Sequence, residues 1–179
     1  MSFSVFRRAA LSVAVIITAC PPGAAGDELR AASDSVQHDW PAFCAETLSK
    51  RLKEGNAVLV YFRLDSCPEC KRLEKHVWNS PKINQRIAAA KGLVVMWADL
   101  TERETDKGKQ NLERMRAVGS VRVPTIAIFR QGAGSPETPS VLVSGRIDAG
   151  VLVALIDDAI ARNPNRMHSY FSPGRVRVQ

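Results

Sequence analysis

Cysteine is scarce in this chain of 179 residues, and its four cysteines are too few for a small disulfide-stapled scaffold. Long apolar runs are also missing. A membrane-spanning helix needs about 20 consecutive apolar residues, and no run in the sequence reaches that length, so no such helix is predicted. Charge of neither sign dominates: the net charge is +7 and the basic residues are scattered, so nucleic-acid binding is not predicted. With 45% hydrophobic residues the chain has enough apolar material for one core, which excludes a wholly disordered protein.

The first residues have the pattern of an export signal. Arg7 and Arg8 precede a short apolar stretch over residues 9–19. A positive start followed by such a stretch is typical of a secretory signal peptide, and the stretch is too short to span a membrane. We therefore predict that residues 1–19 are a signal peptide and that the mature protein is periplasmic.

The end of the apolar stretch predicts a lipid anchor. The tetrapeptide Ile17-Thr18-Ala19-Cys20 resembles the lipobox of bacterial lipoproteins, in which the cysteine is acylated and becomes the first mature residue. This predicts lipidation at Cys20 and attachment to a membrane; the alternative is ordinary cleavage after Ala25. Residues 20–38 are then a flexible tether, residues 39–162 a folded domain, and residues 163–179 a tail without an assigned structure.

Apolar periodicity and capping residues predict an α/β fold. The predicted helices begin at Asp39, near Cys67, at Ser80, at about Asp106 and at Asp148, and the predicted strands cover residues 57–62, 93–98, 125–129 and 141–143. The order is α, β, α, α, β, α, β, β, α. It predicts a parallel βαβ start, a closing hairpin and one central mixed sheet with helices on both faces.

A dithiol motif opens the second predicted helix. Cys67-Pro68-Glu69-Cys70 follows the first buried strand closely. Unpaired N–H groups and the helix dipole at such a position lower the pKa of a thiol, so Cys67 is predicted to be the exposed nucleophile. Cys70, one turn further on, is then placed to attack the mixed disulfide and release the partner.

The same spacing also occurs in metal sites. Cys-x-x-Cys is half of a tetrahedral zinc site, and two thiolates suit soft metals such as Cu(I). Cys44 and His76 are the nearest further ligands along the chain, and no second Cys-x-x-Cys is present. The three histidines share no spacing typical of a metal site and are predicted to be solvated. A metal carrier therefore remains the alternative to a redox enzyme.

A proline precedes the third strand, in Val123-Pro124-Thr125. Proline cannot donate a hydrogen bond to a sheet, so it belongs at the first residue of a strand, and the bond before it is the one peptide bond that readily adopts cis. Together with a dithiol at a helix start, this proline becomes informative.

These residues resemble the thioredoxin superfamily, and more closely the C-terminal thioredoxin-like domain of bacterial thiol:disulfide interchange proteins. The resemblance covers about residues 57–160. It rests on the dithiol, Lys71 to Glu74, Ala98-Asp99-Leu100-Thr101, Gly119 before Pro124-Thr125, and Gly145-Arg146-Ile147-Asp148-Ala149. It implies a thioredoxin fold, a redox-active pair at Cys67 and Cys70, and a cis peptide before Pro124 that packs on the disulfide and holds the partner's backbone.

The sequence departs from that family near the dithiol. Ser66 stands where such sites usually have Trp, and Tyr61 stands where many relatives have a buried Asp that accepts the proton of the second thiol. Glu74 matches a carboxylate found near the site in the interchange protein, so it is a candidate for the proton traffic; the alternative is a solvated helix residue. The carboxylate of Glu69 disfavours a neighbouring thiolate, which favours a reductase or isomerase over an oxidase, although Lys71 and Arg72 oppose this effect.

The sequence thus predicts an exported thiol:disulfide oxidoreductase. Its predicted catalytic residues are Cys67, Cys70, Pro124 and Glu74, and no cofactor is required. The predicted partners are periplasmic protein thiols or disulfides and an upstream electron-transfer protein, with no role for nucleic acid.

Overall fold

The computed structural model describes residues 38–130 and 138–161. The predicted signal peptide, Cys20, almost all of the tether and the tail over 163–179 lie outside the described residues. Within the described part, every predicted strand and helix is found, with changes at the first and second helices.

One mixed sheet forms the centre of the domain. Its strands are β1 (Ala57–Arg63), β2 (Leu93–Asp99), β3 (Thr125–Phe129) and β4 (Val141–Ser144). They lie in the order β2-β1-β3-β4, with β1 parallel to β2 and both other pairs antiparallel. The predicted parallel start and closing hairpin are therefore confirmed. Residues 57–62 of β1 are all buried, as expected of a continuous apolar run in an interior strand.

Helices cover both faces of the sheet. They are α1 (Ala45–Lys53), α2 (Pro68–Leu73), α3 (Pro81–Ala89), α4 (Asp106–Ala117) and α5 (Ala149–Ile160), and a π-helical turn, Glu74–Trp78, follows α2. Alternate residues of β1 enter two apolar clusters. Leu59 and Tyr61 pack with Trp78, α3 and α5, whereas Val58 and Phe62 pack with residues of α1 and α4. The period of two along a strand produces this division.

The first helix begins later than predicted. It starts at Ala45, and Asp39 does not cap it. Instead the segment 41–43 lies along the edge of β2, where the Phe43 amide donates to the Trp97 carbonyl (2.7 Å) and the Trp97 amide donates to the Pro41 carbonyl (3.2 Å). Pairing with a strand satisfies these backbone groups and still buries Phe43, so the apolar spacing was not helical at its start.

Candidate active site

The dithiol lies at the start of α2, as predicted. Cys67 is the N-cap residue, with extended backbone, and Pro68 occupies the first turn. The Cys70 amide donates to the Cys67 sulfur at 3.2 Å. Both cysteines are reduced, Cys67 is half-buried, and Cys70 is fully buried. The helix start therefore leaves one sulfur accessible and encloses the other.

The loop before β3 faces the accessible thiol. The Val123–Pro124 peptide is cis, which confirms the conformation implied by the family resemblance. The Cys67 sulfur lies 3.8 Å from the Val123 carbonyl oxygen. Pro124 is buried, and its carbonyl accepts from the Gly145 amide at 2.9 Å. The structure thus brings Cys67 and the segment 123–124 together.

Three hydroxyl groups form hydrogen bonds at the base of this loop. The Thr125 hydroxyl lies 2.8 Å from that of Ser120 and 2.7 Å from that of Ser144, and it donates to the Arg122 carbonyl at 2.6 Å. Thr125 and Ser120 are buried. Sequence reasoning missed this cluster because it joins a loop, β3 and β4, and no local pattern marks such a contact.

Cys70 lies in an environment that favours the neutral thiol. Burial, followed by hydrogen bonding with Cys67, raises the pKa of Cys70 to about 12, whereas a hydrogen bond from Tyr61 acts in the opposite direction. At neutral pH Cys70 therefore holds its proton. It must lose that proton before its sulfur can act as a nucleophile.

Glu74 lies inside the structure, beside Tyr61. Its side chain is 16% exposed, and its Oε1 accepts from the Tyr61 hydroxyl at 3.1 Å and from Nε of Arg63 at 2.7 Å. This arrangement differs from that of a solvated helix residue. Tyr61 and Arg63 are two residues apart in β1, so they share a face of the strand, and this spacing is visible in the sequence.

The predicted second helix changes type at Glu74. Regular α-helix ends at Leu73, and the following turn is π-helical, with the Asn79 amide donating to the Glu74 carbonyl at 3.1 Å. Such single π turns often occur at functional sites. Here the turn begins at the residue that binds Tyr61, and it buries Trp78 completely.

Arg63 is surrounded by carboxylates. Besides Glu74 it pairs with Asp99, at 3.1 Å, and with Asp65, and its guanidinium lies over the Trp97 ring at 5.5 Å. The nearby negative charges raise the pKa of Arg63 despite its partial burial. The network ties the ends of β1 and β2 to the helix that follows the dithiol.

Glu69, between the two cysteines, pairs with a base of its own helix. Nε of Arg72 lies 2.7 Å from the Glu69 carboxylate, and the same guanidinium donates to the Ile147 carbonyl at 3.2 Å. The predicted opposition between Glu69 and Arg72 is therefore a direct ion pair. It also links α2 to the loop before α5.

Other candidate ligands do not surround the dithiol. Residues 38–130 and 138–161 contain no group of three His, Cys, Asp or Glu side chains arranged to hold a metal ion. Cys44 is the N-cap residue of α1 and is half-buried. His38 is also half-buried and stacks on Trp40 with ring centroids 4.1 Å apart, so the prediction of solvated histidines is wrong for His38. The described helices are all too short or too polar to cross a bilayer.

Comparison with known proteins yields two curated relatives, both thiol:disulfide interchange proteins DsbD. The protein from Vibrio cholerae is 26% identical over 98 residues, which cover 55% of this chain and 15% of the relative. The protein from Salmonella choleraesuis is 28% identical over 105 residues, which cover 59% of this chain and 17% of the relative. The chain therefore matches less than a fifth of each relative's length. Their names agree with the enzyme class predicted from the dithiol.

A solved structure shows the fold, and a family model shows the family. The oxidised C-terminal domain of DsbD from Neisseria meningitidis superposes with a TM-score of 0.50 at 20% identity, over 67% of this chain and 98% of that one. This likeness shows the fold. The family model described as thioredoxin-like matches residues 39–131, more than half of the 179 residues. The chain therefore belongs to the thioredoxin-like family, as its dithiol and its proline before β3 predicted.

Proposed function

We propose that this protein is a thiol:disulfide oxidoreductase that exchanges disulfides with partner proteins. One observation carries the proposal: at the start of α2 an accessible sulfur, Cys67, and a buried sulfur, Cys70, lie one helical turn apart. The Cys67 thiolate attacks a partner disulfide and forms a mixed disulfide. The Cys70 thiolate then attacks the Cys67 sulfur, the Cys67–Cys70 disulfide forms, and the partner leaves as a thiolate.

Two further residues complete the proposed site. Pro124 follows Val123, whose carbonyl lies beside the Cys67 sulfur, and the backbone at this cis peptide is the proposed site that holds an extended segment of the partner. The carbonyl of Val123, 3.8 Å from the Cys67 sulfur, supports this role. Glu74 accepts the proton that Cys70 must lose, because it is the carboxylate hydrogen-bonded to Tyr61 beneath the dithiol.

The proposed direction is reduction or isomerisation. Strongly oxidising dithiols depend on a stabilised thiolate, and the Glu69 carboxylate in the first turn of α2 opposes one. The ion pair between Glu69 and Arg72 acts against this effect. A reduction potential near −270 mV, that of thioredoxin, is the expected result, whereas one near −120 mV indicates an oxidase.

The proposed setting is the periplasm. The basic and apolar pattern over residues 1–19 supports export, with residues 20–38 as tether and 39–162 as the folded domain, and the tetrapeptide that ends in Cys20 supports a lipid anchor. Periplasmic protein thiols or disulfides and an upstream electron-transfer protein are the proposed partners. The substitution Cys20→Ser should move the protein from the membrane to the soluble fraction when the cells that express it are fractionated.

The decisive experiment compares Cys67→Ser with Cys70→Ser. Cys70→Ser retains the attacking thiol but cannot release the partner, so mixed disulfides should accumulate as high-mass bands that a reductant removes. Cys67→Ser should give few or none, because the remaining thiol is buried. Both variants are run on a non-reducing gel beside the parent protein, whose metal content is also measured.

A soft-metal carrier is the competing function, since the same two thiolates suit Cu(I). It predicts that either substitution removes one of two equivalent ligands. Equal behaviour of the two variants, together with stoichiometric copper or zinc in the parent, would contradict the oxidoreductase assignment.

A further inference from the structure

The buried thiol has no carboxylate at the strand position below it. Tyr61, which is 2% exposed, occupies that position in β1, and the interaction of its hydroxyl with the Cys70 side chain acts to lower the pKa of Cys70. The same hydroxyl donates to Oε1 of Glu74 at 3.1 Å. Tyr61 therefore interacts both with Cys70, the resolving cysteine, and with the carboxylate of Glu74.

We propose that the Tyr61 hydroxyl relays the proton of Cys70 to Glu74 when Cys70 becomes the nucleophile. The inference rests on the proposed exchange function and names the route of its proton. The Cys70 S–H bond breaks and its proton binds the Tyr61 oxygen, while the original Tyr61 proton passes to Oε1 of Glu74. Cys70 becomes a thiolate, Tyr61 stays neutral, and the Glu74 carboxylate becomes a carboxylic acid.

Tyr61 acts here as a conduit and not as a base. Burial, and then the charge of Glu74, hold the pKa of Tyr61 far above its ordinary value, so a stable tyrosinate does not form. A neutral hydroxyl that both donates and accepts can still transfer a proton without holding charge. Phenylalanine fills nearly the same volume without that hydroxyl, so Tyr61→Phe tests the conduit separately from the packing.

The charges around Glu74 are suited to an acceptor that changes its charge. Arg63 binds the same Oε1 at 2.7 Å and is a positioning residue. When Glu74 takes up a proton, Asp99 and Asp65 still balance the guanidinium. The partly buried Arg63 is therefore not left without a counter-charge, which would be destabilising.

A few other titratable groups lie near the proposed proton route from Cys70 to Glu74. His38 lies near Glu74 from the segment before α1, and burial lowers its pKa, so it is mainly neutral at pH 7. Cys67 lies on the other side of Cys70. Together with Arg63, Asp65 and Asp99, these are the groups to consider in any pH profile of the site.

The test separates the two sulfur steps in one reaction. Reduced protein is mixed with one equivalent of Ellman's reagent, whose coloured thiolate is released once by Cys67 attack and again by Cys70 resolution. Parent, Tyr61→Phe, Glu74→Gln and the double variant are compared. Ser140→Ala is the control, because it also removes a hydroxyl group, one that lies just before β4 and donates to the Ile128 carbonyl at 3.0 Å.

In Tyr61→Phe the second release should slow by about tenfold or more, within the range of general-base effects, while the first release keeps its rate. The rate of the second release in Tyr61→Phe should then rise by about tenfold per pH unit, because hydroxide must remove the proton. Glu74→Gln should behave alike, and the double variant should be no slower than either single one, since both act on one path.

Three results would overturn the relay: an unchanged second release in Tyr61→Phe, equal slowing of both releases, or additive effects in the double variant. If Tyr61→Phe does not fold, Glu74→Gln alone decides, because it leaves the core tyrosine in place. Failure of the exchange function looks different. In that case the parent itself would release the coloured thiolate only once, or Cys70→Ser would release it twice.

Discussion

The buried position of Cys70 makes the stability of the reduced protein dependent on pH. Folding raises the pKa of Cys70 from an ordinary value of 9.0 to about 12. The folded state then keeps a proton that the unfolded state loses, so the stabilisation is complete below about pH 9 and is lost as the pH rises toward 12. Linkage between these two values gives a loss of about 1 kcal/mol from pH 8 to pH 10.

Two single-thiol variants isolate this effect. Cys67→Ala retains the buried thiol and Cys70→Ala removes it, and neither forms the active-site disulfide. Urea unfolding of both, in reductant, should show that Cys67→Ala loses about 1 kcal/mol more than Cys70→Ala between pH 8 and pH 10. Apart from Cys67, which only Cys70→Ala retains, the same titrating groups are present in both variants. Equal losses in both would mean that burial does not disfavour the Cys70 thiolate, and the need for a proton acceptor would disappear with it.

Two predictions concern the helices that frame the site. Asp148→Ala removes the cap of α5, where Oδ1 accepts from the Val151 amide at 2.9 Å, and should cost about 1 kcal/mol in urea unfolding; Asp148→Asn, which keeps the acceptor, should cost less. Gly108→Ala should destabilise by about 1–3 kcal/mol, although alanine is the better helix former, because its Cβ would lie 1.9 Å from the Glu102 carbonyl oxygen. A higher melting temperature for Gly108→Ala would show that the loop before α4 yields easily.

The central part of the fold could be predicted from the sequence because burial on both faces leaves a strong local pattern. The apolar runs of β1 and β3 match the predicted strands closely, and Ser80 and Asp148 cap their helices as expected. The start of α1 could not be predicted in the same way. Phe43 reaches the core from a segment paired with β2, and apolar spacing alone does not distinguish that arrangement from another helical turn.

The dithiol was predictable and its surroundings were only partly so. Cys67 and Cys70 follow the end of β1 closely along the chain, so the predicted strand and helix are enough to place them. The contact between Glu74 and Tyr61 depends on the phase of the helix after Leu73, which changes there to a π turn. A regular helical wheel cannot show which face Glu74 occupies after such a change.

The two sulfurs make different demands, and different residues meet them. Cys67 needs access to a partner, and it lies beside the Val123 carbonyl in a loop where Val121 is 81% exposed. Cys70 needs enclosure, so that it attacks only the sulfur one turn away, but enclosure keeps its proton in place. A separate exit for the proton then becomes necessary, and the relay proposed here, through Tyr61 to Glu74, would supply it without exposing the thiol to solvent. Accessibility of one cysteine and burial of the other are thus parts of one mechanism.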